Sequence, residues 1–282
     1  MPLMSNSEFE TFFQPYARNV EGFYEAAYWR LSDELIKELV RRHLGLTPGA
    51  RLLDAGGGTG RWGLRYSQAL DVDVTVADKS SHMLATAEQL VKAAAPRREP
   101  RLVQCDLHDA PELADESFDG IVSTYGVLSF LEDPAAVFRT LHRVLRPGGR
   151  ALLMSHSLSN ALASKANRDG VPARELAELL DTRTVKWSDH VPRLRVFSAQ
   201  DLRELAADAG FAVRGVFGVT AVVQPGPEDF GYPYTEISDI SRRLEDPEYF
   251  DTALRLELAA SEQPEWAERG TNLMLYAERL ES

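Results

Sequence analysis

Short apolar runs alternate with amphipathic stretches through the middle of the chain, between residues 46 and 157. The runs near 51–54, 72–76, 101–105, 118–123 and 150–156 predict five strands. Helical periodicity between them predicts helices near 60–69, 81–95 and 134–145, and Pro134 suits the first turn of the last one. Strands separated by helices at this spacing favour a doubly wound, mostly parallel α/β sheet.

The segments on either side of this core break the alternation. Residues 1–45 are rich in aromatic side chains, and Ser32 is the predicted N-cap of a helix that Gly45 ends. Ser198 to Asp201 form a capping-box sequence ahead of a core helix and a sixth strand near 211–217. We therefore expect an N-terminal helical lid (1–45), a core (46–157), a cap insertion (158–197), a core helix with strand 6 (198–217), a second cap insertion (218–270) and a closing strand 7 (271–282).

Composition narrows the class of protein. The net charge of −12 argues against a nucleic-acid partner, because phosphate binding normally shows as a basic surface. No run approaches the roughly 20 apolar residues of a membrane helix, and the N-terminus lacks the regions of a signal peptide. Cys105 is the single cysteine, which fits a reducing compartment. We expect a cytoplasmic protein with no membrane partner, and leave open whether it is a monomer or a homodimer.

A glycine-rich loop follows the first predicted strand, in the sequence Asp-Ala-Gly-Gly-Gly-Thr-Gly at 54–60. Such a turn between a strand and a helix lets backbone N–H groups approach a ligand closely. Part of it, 58–63, also fits the dinucleotide pattern G-x-G-x-x-G, which is a weak signal by itself. Three acids at predicted strand ends help to decide whether the loop binds a dinucleotide or another ligand. Asp54 would suit a nearby ammonium group, Asp78 could accept hydrogen bonds from ribose hydroxyls, and Asp106 could accept one from an adenine amino group.

In this order, the motifs resemble those of class I S-adenosylmethionine (SAM)-dependent methyltransferases. The resemblance covers residues 30–156 and rests on 54–60, the acidic segment 78–84, Cys105-Asp106-Leu107, Ser117 to Ser123 and Leu145 to Gly149. It implies a seven-stranded sheet in the order 3-2-1-4-5-7-6 with an antiparallel last strand. It also implies SAM as cofactor and S-adenosylhomocysteine as product. The residues expected to bind the cofactor are Tyr28, Asp54, Gly56, Gly58, Gly60, Asp78, Lys79, Met83, Cys105, Asp106, Leu107 and Thr124.

Methyl transfer needs an aligned acceptor and, for some acceptors, a general base. His156, at the end of the fifth predicted strand, is the candidate base, and Tyr24 and Tyr125 are further catalytic candidates. Packing is the alternative role for each of them. The residues expected to bind the substrate are Tyr16, Trp187, His190, Phe230, Tyr232 and Tyr234.

These features predict an enzyme that methylates a small molecule, such as an aromatic or amine-bearing natural product. Two alternatives stay open: a SAM-binding protein that catalyses another reaction such as a cyclisation, and a methyltransferase acting on RNA or protein. The six histidines include no i, i+4 pair and have no cysteine companions at zinc-ligand spacing, so no metal is expected.

Overall fold

The computed structural model describes residues 6–187, 191–230 and 236–281. Its helices are α1 (Asn6–Phe23), α2 (Ala27–His43), α3 (Arg61–Leu70), α4 (Ser81–Ala94), α5 (Pro134–Val144), α6 (Leu158–Ala166), α7 (Ala173–Thr182), α8 (Ala199–Asp208), α9 (Asp239–Leu244), α10 (Pro247–Ser261) and α11 (Pro264–Ala267). Its strands are β1 (Arg51–Ala55), β2 (Asp73–Asp78), β3 (Arg101–Gln104), β4 (Phe118–Ser123), β5 (Leu145–His156), β6 (Thr184–Val185), β7 (Leu194–Arg195), β8 (Ala212–Val219) and β9 (Asn272–Glu278). Two 3₁₀ turns span Val127–Phe130 and Pro227–Phe230.

Seven of these strands form one sheet in the order β3-β2-β1-β4-β5-β9-β8. Strands β1 to β5 pair in parallel, whereas β9 runs antiparallel to both of its neighbours, β5 and β8. This confirms the predicted seven-stranded, mostly parallel sheet and its order. Because parallel strands end at the same edge, the loops after β1, β2, β3 and β4 meet there, where ligands bind in open α/β sheets.

Helices cover both faces of the sheet. On one face, Phe138 of α5 and Leu202 of α8 are fully buried in a cluster with the sheet. On the other face, Leu39 of α2 and Trp62 of α3 join a second cluster. An apolar side chain buried in this way contributes about 1.5–3 kcal/mol relative to its exposed state. The two clusters fix the sheet edge that carries the loops.

The N-terminal helices differ from the sequence prediction. α2 begins at Ala27, so Ser32 lies inside the helix and not at its N-cap. Tyr28 and Leu31 are both buried, and their burial extends the helix one turn beyond the serine. Tertiary burial here outweighs the local preference of serine for a cap.

The segment 158–197 holds more regular structure than the sequence predicted. It contains α6, α7 and a two-stranded hairpin, β6–β7. The capping box at 198–201 is confirmed: the Ser198 hydroxyl accepts from the Asp201 N–H at 3.1 Å, and the Asp201 carboxylate accepts from the Ser198 N–H at 2.7 Å.

None of the helices that the structure describes is both long enough and apolar enough to cross a bilayer.

Candidate functional site

A cleft of about 470 Å³ lies at the carboxyl edge of the sheet, within the range typical of small-molecule sites. α1 and the 3₁₀ turn at 127–130 face it from the opposite side. Of the residues predicted from the sequence, the cleft is lined by Tyr16, Tyr24, Gly56, Gly58, Asp78, Lys79, Met83, Cys105, Asp106, Leu107, Thr124 and Tyr125. The structure therefore brings together residues from the lid, from β2 to β4 and from the glycine loop.

The glycine loop leaves no room for side chains. Gly56 and Gly58 adopt φ of +71° and +56°, and a Cβ on Gly58 would lie 2.7 Å from Cε of Met83. A Cβ on Gly56 would overlap the side chain of Val127, which packs directly against this glycine. The loop is thus a backbone cradle whose shape depends on glycine.

Asp78, at the end of β2, ties this loop to the sheet. Its carboxylate accepts from the N–H of Gly58 at 2.9 Å and from the N–H of Ser80 at 2.8 Å. Burial raises the pKa of Asp78 to about 6, although the backbone donors of Ser80, Gly58 and Lys79 oppose the shift. A carboxylate has about four acceptor sites, so these three donors leave Asp78 with capacity for a further one.

Asp106, two residues after the end of β3, also lines the cleft. Its carboxylate pairs with Nζ of Lys79 at 2.9 Å and with Nδ1 of His108 at 2.5 Å. Burial alone would raise its pKa, but Lys79 and His108 hold it at about 2. The neighbouring Cys105 is inert as a nucleophile, because burial and the surrounding acids raise the pKa of its thiol to about 12.

Three residues expected to bind the cofactor do not line the cleft. Asp54 lies beneath the loop, 1% exposed, where a Cβ on Gly57 would meet its Oδ2 at 2.6 Å. Burial raises its pKa to about 7, and that oxygen has no hydrogen-bond partner within the described chain. Gly60 is the N-cap of α3, against Ala87. The hydroxyl of Tyr28 lies 2.7 Å from that of Thr220, deep in the core.

A network of charged and phenolic groups closes one end of the cleft. Asp33 of α2, 2% exposed, accepts from both Arg61 and Arg65 and from the hydroxyl of Tyr125. The guanidinium of Arg61 also lies 4.5 Å from the ring centroid of Tyr24. Neither Asp33 nor Arg61 was predicted from the sequence. The position of Arg61 directly after the glycine loop was a usable signal, but nothing in the pattern of α2 marked Asp33.

Glu21 completes this network from the lid. Its carboxylate accepts a hydrogen bond from the hydroxyl of Thr59 and lies 3.6 Å from Nε of Arg61. Tyr24 and Tyr125, which contact Arg61 and Asp33 of this network, stay protonated at neutral pH. Burial raises the pKa of Tyr24 and of Tyr125 well above 10.

Aromatic side chains form the opposite wall, and most of them were not predicted. Phe9 and Phe13 come from α1 and Phe130 from the 3₁₀ turn; the rings of Phe13 and Phe130 lie 5.5 Å apart. Small-molecule sites are usually lined by such apolar surface with a few polar groups.

His156 is not part of the cleft lining. Its imidazole packs against Gly126, where a Cβ would lie 2.7 Å from Nε2, and burial lowers its pKa to about 4. A group with that pKa is a weak proton acceptor at neutral pH, so the placement does not favour the predicted base.

Of the predicted substrate residues of the caps, Trp187 is the one whose side chain the structure describes, and it does not line the cleft. Trp187 lines a separate cavity between α6, α7 and the β6–β7 hairpin. His190, Tyr232 and Tyr234 lie outside the described residues, as does the side chain of Phe230. Within the described residues, no group of three or more histidine, cysteine or acidic side chains is arranged to hold a metal ion.

Comparisons with known proteins show which proteins this chain is similar to. Residues 52–149 match the family described as a methyltransferase domain. The tRNA 5-carboxymethoxyuridine methyltransferase of Escherichia coli K12 is 27% identical over 164 residues, 56% of this chain, and the chain spans about 60% of its length. An O-methyltransferase of Pyrenophora dematioidea is 25% identical over 214 residues, 72% of this chain and 73% of that protein.

The fold is also that of solved structures. The [4+2]-cyclase SpnF superposes with a TM-score of 0.54 over 90% of this chain and 81% of that chain, at 20% identity. At this identity the likeness establishes the shared fold.

Proposed function

We propose that this chain is a class I SAM-dependent methyltransferase, as the match of residues 52–149 and the strand order support, and that it methylates a small aromatic or amine-bearing molecule. The observation that carries the proposal is the cleft itself. One half presents the glycine cradle and the acids at the strand ends, and the other half presents aromatic side chains. A polar half suits the cofactor, and an apolar wall suits a small acceptor.

The residues of the polar half fit SAM. The cradle that a Cβ would fill matches a ligand in contact with backbone, and the spare lone pairs of Asp78 suit ribose hydroxyls. Asp106 and Leu107 flank the adenine position. The methionine end of the cofactor is a zwitterion, for which Arg61 supplies a cation and Glu21 an anion at the same end of the cleft.

SAM, when bound, supplies a methyl group made electrophilic by its sulfonium sulfur. The chain's own part is to align the acceptor, exclude water and keep the surrounding phenols protonated. Tyr24 and Tyr125 act as hydrogen-bonding walls and not as bases, because burial raises the pKa of both. Alignment of this kind can lower a barrier by several kcal/mol.

The histidine of the described lining, His108, is not free to act as a base. Both ring nitrogens of His108 are engaged: Nδ1 with Asp106 and Nε2 with the N–H of Asp133 at 3.3 Å. A neutral amine nitrogen attacks a methyl group without first losing a proton, whereas an alcohol needs a base, so an amine suits the cleft better than an alcohol. The acidic lining residues outnumber the basic ones four to two, which attracts the ammonium form of an amine; this form must lose its proton before the nitrogen can attack. We therefore place amines first among the acceptors.

A second candidate function is a SAM-dependent reaction without methyl transfer, such as a cyclisation. It is favoured by the fold likeness to the [4+2]-cyclase and by the engagement of both ring nitrogens of His108, the histidine of the described lining. RNA methylation ranks lower, since the E. coli tRNA enzyme is a relative over only part of its length and the net charge here is −12.

The test combines binding with turnover. Calorimetry with SAM, S-adenosylhomocysteine and NADH identifies the cofactor, and micromolar binding of the first two alone is expected. Incubation with SAM and either 2-phenylethylamine or 2-phenylethanol then separates amine from alcohol acceptors, with S-adenosylhomocysteine measured by mass spectrometry. Binding of SAM without S-adenosylhomocysteine from any acceptor would favour the second candidate, and binding of NADH alone would overturn both.

A further inference from the structure

A second cavity lies away from the cleft, bounded by α6, α7 and the β6–β7 hairpin. Its volume is about 490 Å³, comparable to that of the cleft. Five basic side chains line it, against three acidic ones: Lys165, Arg168, Arg174, Lys186 and Arg193 against Asp169, Glu175 and Glu178. A locally positive concavity on a chain of net charge −12 attracts anions from solution.

Lys165 forms the floor of this cavity. It is 5% exposed, and its ammonium donates to Oε1 of Glu175 at 2.5 Å and to the carbonyl of Lys186 at 2.6 Å. An ammonium has three N–H donors, and these two acceptors use two of them. A buried cation with a remaining donor at the bottom of a cavity is suited to an anionic group.

Two arginines of the lining have no acidic partner among residues 6–187, 191–230 and 236–281. Arg168 donates only to the carbonyl of Trp187, at 3.5 Å, and Arg174 forms no ion pair with any residue in the described ranges. By contrast, Arg193 is paired with Glu178 at 2.9 Å. The guanidinium groups of Arg168 and Arg174 are therefore available to a carboxylate or a phosphate, which they can bind in bidentate geometry.

Trp187 adds an apolar surface to this charged site. It lines the cavity, and Nζ of Lys165 lies 5.9 Å from its ring centroid. An indole offers a flat face on which a ring of the ligand can stack. The cavity thus combines a stacking surface with cations. These features suit the binding of a flat molecule that carries a negatively charged group.

We propose that this cavity, lined by Lys165, Arg168, Arg174 and Trp187, is a second ligand site that binds a small planar anion such as an aryl phosphate or carboxylate. The site is separate from the glycine-loop cleft and does not depend on the methyl-transfer proposal. Trp187, first predicted as a substrate residue of the cleft, becomes a residue of this second site.

Calorimetric titration with 1-naphthyl phosphate tests the proposal, with neutral 1-naphthol as the uncharged comparison. We expect one site for the phosphate and at least ten-fold weaker binding of 1-naphthol. The Arg168→Gln/Arg174→Gln variant should bind the phosphate at least ten-fold more weakly. The matched control Arg139→Gln/Arg255→Gln removes the same charge from exposed positions elsewhere and should bind as the unmodified protein does.

The titration is repeated with saturating S-adenosylhomocysteine. Unchanged affinity places the probe outside the cleft, whereas competition would overturn the proposal by placing it inside. Equal binding by both double variants, or no binding at millimolar probe, would also overturn it. Because these readouts need no turnover, failure of the second site and failure of the methyltransferase proposal are distinguishable.

Discussion

The carboxylate of Asp33 accepts a hydrogen bond from the phenol of Tyr125, 92 residues further along the chain. The same carboxylate pairs with Arg61 and Arg65, so one buried acid holds a phenol and two guanidinium groups. Tyr125 and Arg61 both line the cleft, and Asp33 does not. Asp33 is therefore a positioning residue, which joins α2 to α3 and to the loop after β4.

Replacing Asp33 by Asn should weaken SAM binding. The amide keeps the shape of the side chain but leaves Arg61, whose side chain is 12% exposed, without its main counter-charge. Breaking a buried pair in this way costs about 3–5 kcal/mol of stability, and we expect SAM affinity to fall about ten-fold, as for the loss of ~1.4 kcal/mol. Calorimetry and urea unfolding measure the two effects.

Lys37→Gln is the matched control, since it lies on the same helix and pairs only with the exposed Glu34. An exposed pair contributes about 0–1 kcal/mol, so this variant should bind SAM normally. Unchanged SAM affinity in Asp33→Asn would show that the network is structural and does not serve the cofactor.

Gly58→Ala should weaken SAM binding, because the new methyl group would enter the cradle and displace Cε of Met83, a lining residue, from its position 2.7 Å away. Gly49→Ala is the matched control: its φ is also positive, at +81°, but nothing lies within 4 Å of the added Cβ. Both variants should lose ~1–3 kcal/mol of stability from the left-handed backbone, measured by urea unfolding. If Gly58→Ala bound SAM as well as Gly49→Ala does, the cradle would not be the cofactor site.

The sequence predicted the sheet and the polar half of the cleft because both depend on local patterns. Apolar runs mark the strands, and the glycines with Asp78 and Asp106 mark the ends of three of them. The role of Asp33 was not predictable in this way, since its partners come from β4 and α3 and meet it only after folding. Tyr28 shows the converse: its place in an aromatic segment favoured the cleft, but its hydroxyl finds Thr220 and Thr271 in the core.

Tyr28→Phe should therefore affect stability and not cofactor binding. The buried hydroxyl groups of Thr220 and Thr271 would lose a partner, at a cost of about 1–3 kcal/mol. SAM affinity by calorimetry should stay within two-fold of the unmodified protein. Tyr24→Phe is the comparison, because it removes the same hydroxyl oxygen from a residue that lines the cleft. This variant should alter SAM affinity or turnover. A large loss of SAM affinity in Tyr28→Phe would restore the role first predicted for Tyr28.

Asp54 should make stability depend on pH. Its pKa is about 7 in the folded chain and 3.8 as the ordinary value, so the folded state binds the proton more tightly. The stability that this proton confers is fully present below pH 4 and is lost as pH rises to about 7. Asp54→Asn removes this titration, so the difference in unfolding free energy between the two proteins should shift in favour of the variant from pH 5 to pH 8. A difference that stays constant with pH would contradict the burial of an ionisable group at this position.

His156→Gln tests whether the chemistry uses this histidine at all. The imidazole lies against Gly126, outside the cleft lining, and burial lowers its pKa from 6.5 to about 4. We expect the single-turnover rate at pH 7.5 to stay within about three-fold of the unmodified protein, a change of ~0.7 kcal/mol in the barrier. The stability effect should appear elsewhere: a neutral histidine stabilises the fold fully above pH 6.5, and that contribution is lost as pH falls toward 4. The variant should therefore show a weaker loss of stability between pH 6.5 and 4 in urea unfolding. A rate lowered 100-fold or more with SAM affinity intact, and a pH–rate profile that loses one ionisation, would instead make His156 the general base and require that it reach the cleft when both ligands are bound.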